Sequence, residues 1–459
     1  MPEQRNHTQT GAGADPCPEL LRVQWGRRRQ RYCDGVSRRD FLAVGGSSLL
    51  GLSLAHLLQS EATAAGPSVG ASIAKAEALI VLWLGGGITQ LETFDPKPDA
   101  PAENRGHFGV IPTKVSGVRF CDRMPKLAAN LDHFSVIRSM THPDRNHGAA
   151  DHLMLSGYLQ NPVTPYPAIG SIMAKVQGYR TALPPCVGIP NAPVSSGYLG
   201  SAFNAFRVNG DPNAPNFSVR DFQPPVDVDG SRLSRRGDLL KLVDQGVKAF
   251  EQADGPRSLS EFYQRAHTII SSPDAREAFA LDKESEALRR RYGRSTFGQG
   301  ALLARRLVER GVRMVTVTKG GWDHHANIFS QLDQGMLAEV DQVLTALLLD
   351  LKERGMLEKT LVLMTGEFGR TPNVNYAVGR DHWPDVFSVA VAGGGIRGGR
   401  VYGESDARSA YPASDPTTPA DLLSTFYHQL GIEPETELRT RDNRPIHILN
   451  QGEVIRGIL

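Results

Sequence analysis

Four stretches of the chain repeat one pattern, a short unbroken apolar run that gives way to glycines and polar residues. They are Ala78 to Leu84 before Gly85-Gly86-Gly87, and Val312 to Val317 before Trp322-Asp323-His324-His325. The others are Thr360 to Thr365 before Gly366-Glu367-Phe368-Gly369-Arg370, and Phe387 to Ala392 before Gly393-Gly394-Gly395. Runs of this kind predict strands buried on both faces of a parallel sheet. Between the second and third, Met336, Leu337, Val340, Val343, Leu344, Leu347, Leu348 and Leu351 recur at helical spacing and predict a helix packed on that sheet. Ala301 to Arg310 predicts another, and Thr418-Pro419-Ala420-Asp421 has the N-cap Thr, N1 Pro and first-turn Asp of a helix start. Strand–helix alternation points to a largely parallel, helix-covered α/β sheet. From about residue 186 to 236 the chain is rich in Pro, Gly, Asn and Ser and reads as a loop-rich surface excursion; Glu251 to Arg294 reads as charged and helical.

The first 65 residues read differently. Ser37-Arg38-Arg39-Asp40-Phe41-Leu42 is a twin-arginine signature, followed by a mild apolar run to Leu58 and by Ala62-Thr63-Ala64. A basic region, a short apolar core and a small-residue cleavage site predict a leader read by the twin-arginine export machinery. The glycines and serines in the run make it a poor membrane anchor. The expected product is periplasmic or extracellular, with no integral membrane segment in the mature chain. The leader carries eight Arg and six acidic residues, and the rest has 43 basic and 43 acidic side chains. That balance gives no electrostatic case for nucleic acid. Cys121 and Cys186 would remain, either paired or as two buried thiols.

Ligand-type side chains gather in three short segments. Asp323, His324, His325 and Asn327 follow the second predicted strand; Asp381 and His382 lie beside Arg380; His142, His147 and His152 are spaced by five, with Asp151 among them. Carboxylates and imidazoles together are the ligands of borderline divalent metals, and the carboxyl end of a strand is where open α/β sheets hold ligands. Glu367 follows the third strand directly, as a site residue or as an ion-pair partner of Arg370. Such a group would hydrolyse an anionic ester: a metal polarises the ester, Arg370 or Arg380 holds the anionic oxygens, and a His protonates the leaving group. Zinc leads the metal candidates, with manganese, iron or calcium behind it.

The twin-arginine leader, "Leu-Trp-Leu-Gly-Gly-Gly…Glu-Thr-Phe-Asp-Pro", "His-Gly-Ala-Ala-Asp-His-Leu-Met-Leu-Ser-Gly", "Gly-Trp-Asp-His-His", "Gly-Glu-Phe-Gly-Arg-Thr-Pro" and "Gly-Arg-Asp-His-Trp-Pro" resemble a large exported bacterial family, domain of unknown function 1501. That family is similar to the alkaline phosphatase and sulfatase superfamily. The resemblance implies one α/β domain over residues 66–459, its central sheet covered by helices on both faces and its metal site at the sheet's carboxyl edge. It implies Asp323, His325, Glu367, Asp381 and His382 as metal ligands. The superfamily's first-strand Asp falls at Gly86, with Glu92 or Asp95 as substitutes, and its Ser, Thr or Cys nucleophile falls at His147. The implied function is an exported metal-dependent hydrolase of a small phosphate or sulfate ester, or of a sulfated or phosphorylated glycan. A catalytically weak relative that grips an anionic ligand is the rival reading, favoured by Gly86 and by the missing hydroxyl or thiol.

Overall fold

The computed structural model describes residues 74–219 and 272–459. The leader, residues 220–236 of the excursion and residues 251–271 of the charged stretch lie outside them. Eight strands form the central sheet: β1 (Ala78–Leu84), β2 (Ser135–Met140), β3 (Cys186–Ile189), β4 (Phe206–Arg207), β5 (Met314–Lys319), β6 (Thr360–Thr365), β7 (Phe387–Ala392) and β8 (Val401–Tyr402). Their order is β8-β2-β7-β6-β1-β5-β3-β4. β1 pairs in parallel with β5 and β6, in register Leu79↔Met314 and Leu79↔Leu361. β3 is parallel to β4 and β5, and β8 to β2. Only β7 opposes its neighbours, β2 and β6.

The unbroken apolar run of β1 is explained by two cores. Ile80, Leu82 and Leu84 point into one, with helices α3 (Thr296–Glu309) and α4 (Leu337–Glu353). Leu79, Val81 and Trp83 point into the other, with α1 (His147–Ser156), α2 (Ile169–Gln177) and α5 (Pro419–Leu430). A strand buried on both faces has no polar side to display, so alternation is lost. Every residue of the predicted α4 face is buried except Met336, which precedes the helix and is partly buried. At α5 the capping box forms: Thr418 Oγ1 accepts Asp421 N–H at 3.2 Å and Asp421 Oδ2 accepts Thr418 N–H at 2.8 Å.

Two expectations need correction. Cys186 to Ile189 is a buried strand of the sheet, and Phe206–Arg207 adds its edge, so the excursion starts inside the fold. β7 is antiparallel, so Gly393-Gly394-Gly395 ends at the opposite edge from the other glycine loops, against Thr360 and Leu361 at the start of β6. A strand, β2, does precede the histidine-rich segment, which is itself helical from His147 onward. Cys121 and Cys186 are free and buried in different cores; Cys186 Sγ donates to Gly170 O at 2.7 Å. Helices Pro273–Phe279 and Glu286–Tyr292 occupy the described part of the charged stretch. Among the described residues no helix is long and apolar enough to cross a membrane.

Candidate metal centre

Strands β1, β5 and β6 point one way, so the loops after them meet at one edge of the sheet. β2 runs with them and delivers His147, the first residue of α1, to the same edge. Because β7 runs oppositely it begins there, which brings in His382 just ahead of it.

What assembles is three imidazoles around one carboxylate. The Nε2 atoms of His325 and His382 lie 3.0 and 3.1 Å from Asp323 Oδ1, and Nε2 of His147 lies 3.2 Å from Asp323 Oδ2. Ligand atoms of His147, Asp323 and His382 all fall within 4.8 Å of one another. His325 Nε2 faces His382 Nε2 at 3.0 Å. The outer nitrogen of each ring meets an oxygen acceptor. Nδ1–H of His147 donates to Glu367 Oε1 (2.5 Å), that of His325 to Asp381 Oδ1 (2.6 Å), and that of His382 to Arg145 O (2.8 Å). Acceptors at Nδ1 hold a hydrogen there and leave each Nε2 facing inward, the nitrogen that offers a lone pair when a ring is neutral. Three Nε2 atoms and a carboxylate so placed form a candidate cation site. An outer partner that fixes tautomer and orientation is also what metal-bound histidines have.

The remaining groups sharpen this picture. Burial works to raise the Asp323 carboxyl, but the hydrogen bond and charge of the Arg370 guanidinium hold it well below the usual carboxylate range. Asp381 is held low by its hydrogen bond from His325, with Asn375 Nδ2 adding a second at 3.2 Å. Glu367 is buried, and both its oxygens also accept Gly86 N–H, at 2.8 and 3.1 Å. Phe368 packs its ring against His147 (5.2 Å) and His382 (4.5 Å). Three imidazole nitrogens and one carboxylate suit zinc, manganese or iron, and argue against calcium, which takes oxygen ligands. In this geometry Glu367 and Asp381 stand behind the imidazoles rather than facing the centre.

Other candidates are placed elsewhere. His142 donates from Nε2 to Glu367 O (2.7 Å) and accepts Asp144 N–H at Nδ1 (3.2 Å), with burial pushing its imidazole down. His152 is turned into the interior next to Tyr166, and His324 is buried beside Trp322, where burial takes it down to about 4. Asn327 is a left-handed turn residue whose carbonyl accepts Gln331 N–H. Glu92 cannot substitute at Gly86, because it is buried against Arg380 (2.8 Å), Thr89 (2.5 Å) and His107 N–H (3.1 Å). Asp95 is taken up by Ser405, Lys97 and Arg138. A Cβ at Gly86 itself would lie 2.7 Å from Trp322 C and closer still to Asp323 N. Asp151 stays near, one helical turn from His147; burial and the Glu367 charge raise its carboxyl to about 7, and Trp83 hydrogen-bonds it.

The expected anion-holding arginines are spent. Arg370 and Arg380 are both fully buried. Arg370 bonds Asp323 Oδ1 (2.5 Å), Gly86 O, Trp322 O, Gly87 O and Arg380 O. Arg380 bonds Glu92, Thr371 O, Pro372 O and Arg105 O. The cation that is exposed and tied to the centre is Arg145, paired with Asp385 and 5.0 Å above the Trp383 ring.

A sequence profile covering residues 76–459 matches the chain. The chain belongs to the DUF1501 family. The description of that family is "Protein of unknown function (DUF1501)". No curated protein matches the chain. Among solved structures, this DUF1501 chain is similar to the phosphonate monoester hydrolase of Agrobacterium radiobacter (13% identity, 83% of this chain and 77% of that one, TM-score 0.39). It is similar to the PsFucS1 sulfatase from a Pseudoalteromonas species (12% identity, 82% and 70%, TM-score 0.36). It is also similar to the alkaline phosphatase of the Antarctic bacterium TAB5 (12% identity, 73% and 96%, TM-score 0.28). The likeness is one of fold.

Arg145, Asn375 and Phe368 were not singled out from the sequence. Arg145 acts on His382 through its carbonyl, which leaves no residue-type signal, and Asn375 and Phe368 are ordinary turn and core residues until the loops meet. The DUF1501 chain hides the residues behind its imidazoles in this way while displaying its candidate ligands.

Proposed function

We propose that this chain is an exported, metal-dependent hydrolase of a phosphate or sulfate ester. The observation that carries the reading is the convergence of three Nε2 lone pairs on the Asp323 carboxylate, each ring fixed from behind by an oxygen acceptor. A divalent ion held there would polarise the ester and lower the pKa of a water at the centre. Asp323, His147, His325 and His382 would hold the ion; Glu367, Asp381 and the Arg145 carbonyl fix the rings. With Nε2 of His147 turned to the ion, His147 serves as a ligand, and the nucleophile comes from water. Arg145 supplies the charge that draws the anionic group, with Asp385 and Trp383 setting its guanidinium. The leader signature supports a periplasmic or extracellular site of action.

The test is turnover of aryl phosphate and aryl sulfate esters by the zinc- or manganese-loaded protein, with and without chelator. Metal-dependent turnover is expected, and Arg145→Ala raises KM more than it lowers kcat. The rival reading, a weak or inactive relative that binds an anion, is favoured by the absence of a hydroxyl or thiol at position 147. It gains if metal-loaded protein binds inorganic phosphate or sulfate yet turns over neither ester.

A further inference from the structure

Asp323, Glu367 and Asp381 put three carboxylates at this edge of the sheet, a number that invites a pair of divalent ions. Their hydrogen bonds argue the other way. Both Glu367 oxygens are committed to Gly86 N–H and His147, and the side chain is 2% exposed. Asp381 Oδ1 is committed to His325 and Asn375, which holds this half-exposed carboxylate at the outer nitrogen of the His325 ring. The end of β1 offers no ligand, since a side chain at Gly86 would run into Trp322 and Asp323. Four inward donors remain, the Nε2 atoms of His147, His325 and His382 and the Asp323 carboxylate. Four is the complement of one tetrahedral ion.

Arg370 occupies the other side of Asp323. Its Nη2 donates to Asp323 Oδ1 at 2.5 Å and also to Gly86 O, with Nη1 and Nε fastened to Arg380 O (3.0 Å) and Gly87 O (3.3 Å). A guanidinium is charged at every working pH, so this is a permanent positive charge on the carboxylate that two ions would have to share.

We propose that the centre takes a single divalent ion and that Arg370 is a built-in second cation, a positioning residue that holds Asp323 and excludes another metal. The inference rests on the reading that the centre binds metal, and its test separates the two. Chelator-stripped full-length protein is titrated with Zn2+ by calorimetry, and its metal content after gel filtration is measured by elemental analysis. One ion per chain is expected. Two ions of comparable affinity overturn the inference and leave the metal reading standing; none overturns both. Arg370→Gln and Arg370→Lys supply a second readout. Removing a neighbouring positive charge should tighten the Zn2+ site by about tenfold in Arg370→Gln, with Arg370→Lys returning to wild-type affinity. A residue that merely braces the loops would loosen the site in Arg370→Gln instead, and that result overturns the charge role. If Arg370→Gln does not fold, the wild-type ion count decides alone.

Discussion

Two clusters of charged side chains in this molecule look alike in composition and differ in balance. On the face covered by α3 and α4, Arg305 is 1% exposed and meets Glu309 at 2.6 Å, Glu284 at 2.7 Å and Asp350 at 2.9 Å. Asp350 also accepts from Tyr292 (2.9 Å) and Arg354 (2.7 Å), and Arg306 reaches Glu284 at 2.6 Å. Each guanidinium there faces carboxylates, with Arg305 Nε in ion-pair range of Asp350 and without a hydrogen bond, so opposite charges meet and brace α3, α4 and helix Glu286–Tyr292. At the carboxyl edge of the sheet, by contrast, three imidazole Nε2 atoms converge on the Asp323 carboxylate, and Arg370 is the one guanidinium that bonds it. A balanced cluster explains itself as structure. An unbalanced one calls for a missing positive charge, and this is what separates a metal site from an ion-pair network of the same residues.

The largest effect comes from removing the shared carboxylate. Asp323→Ala should abolish stoichiometric Zn2+ binding by elemental analysis and bring any ester turnover to background. Next, Arg305→Ala takes the shared cation from Glu284 and Asp350, which keep Arg306, Arg354 and Tyr292, and should cost about 3 kcal/mol of stability in denaturant unfolding, the low end for breaking a buried pair. Its folded fraction should keep the full metal count. If Arg305→Ala lost metal while Asp323→Ala kept it, the contrast between the clusters would be reversed. A smaller change is Asp381→Asn, which keeps the shape behind His325 and loses the charge. Zinc affinity should fall by about 10–100-fold, the usual toll of an outer partner. No change in affinity would mean that His325 is not a ligand.

Much of this fold is legible in the chain, for reasons that mark where reading stops. β1, β5 and β6 announce themselves because burial on two faces removes polar residues. β2 does not, since Ser135-Val136-Ile137-Arg138-Ser139-Met140 carries serines whose hydroxyls are satisfied by distant carbonyls, Arg397 O at 2.5 Å and Asp415 O at 2.6 Å. β3 is only four residues long and enters a Pro-rich stretch, so composition hides it. At the centre, residue type and position after a strand mark Asp323, His325 and His382. They do not mark which carboxylate faces inward. Glu367 and Asp381 read as ligands until His147 and His325, from other loops, occupy their oxygens. Arg370 and Arg380 read as substrate clamps until the fold buries them and turns their terminal nitrogens to internal acceptors. Glycine followed by a charged residue says that a loop turns at the sheet edge, and nothing about what it turns toward.

The smallest predicted effect concerns Asp151, whose carboxyl is raised to about 7, chiefly by burial and then by the Glu367 charge. The unfolded carboxyl titrates near ~3.9. Between those values the folded protein holds a proton that the unfolded chain has released, so stability falls as pH rises through the window and levels off above it. Discounted for partial exposure, the loss is roughly 1–2 kcal/mol in metal-free protein. Asp151→Asn cannot titrate and should flatten the curve: equal to wild type at pH 4, more stable by that amount at pH 8. Saturating Zn2+ should also flatten it in the wild type, because a nearby divalent charge lowers the carboxyl and removes the proton difference. A slope unchanged by metal would place the ion away from Asp151, and would weaken the claim that the imbalance of charge at this edge is what the cation corrects.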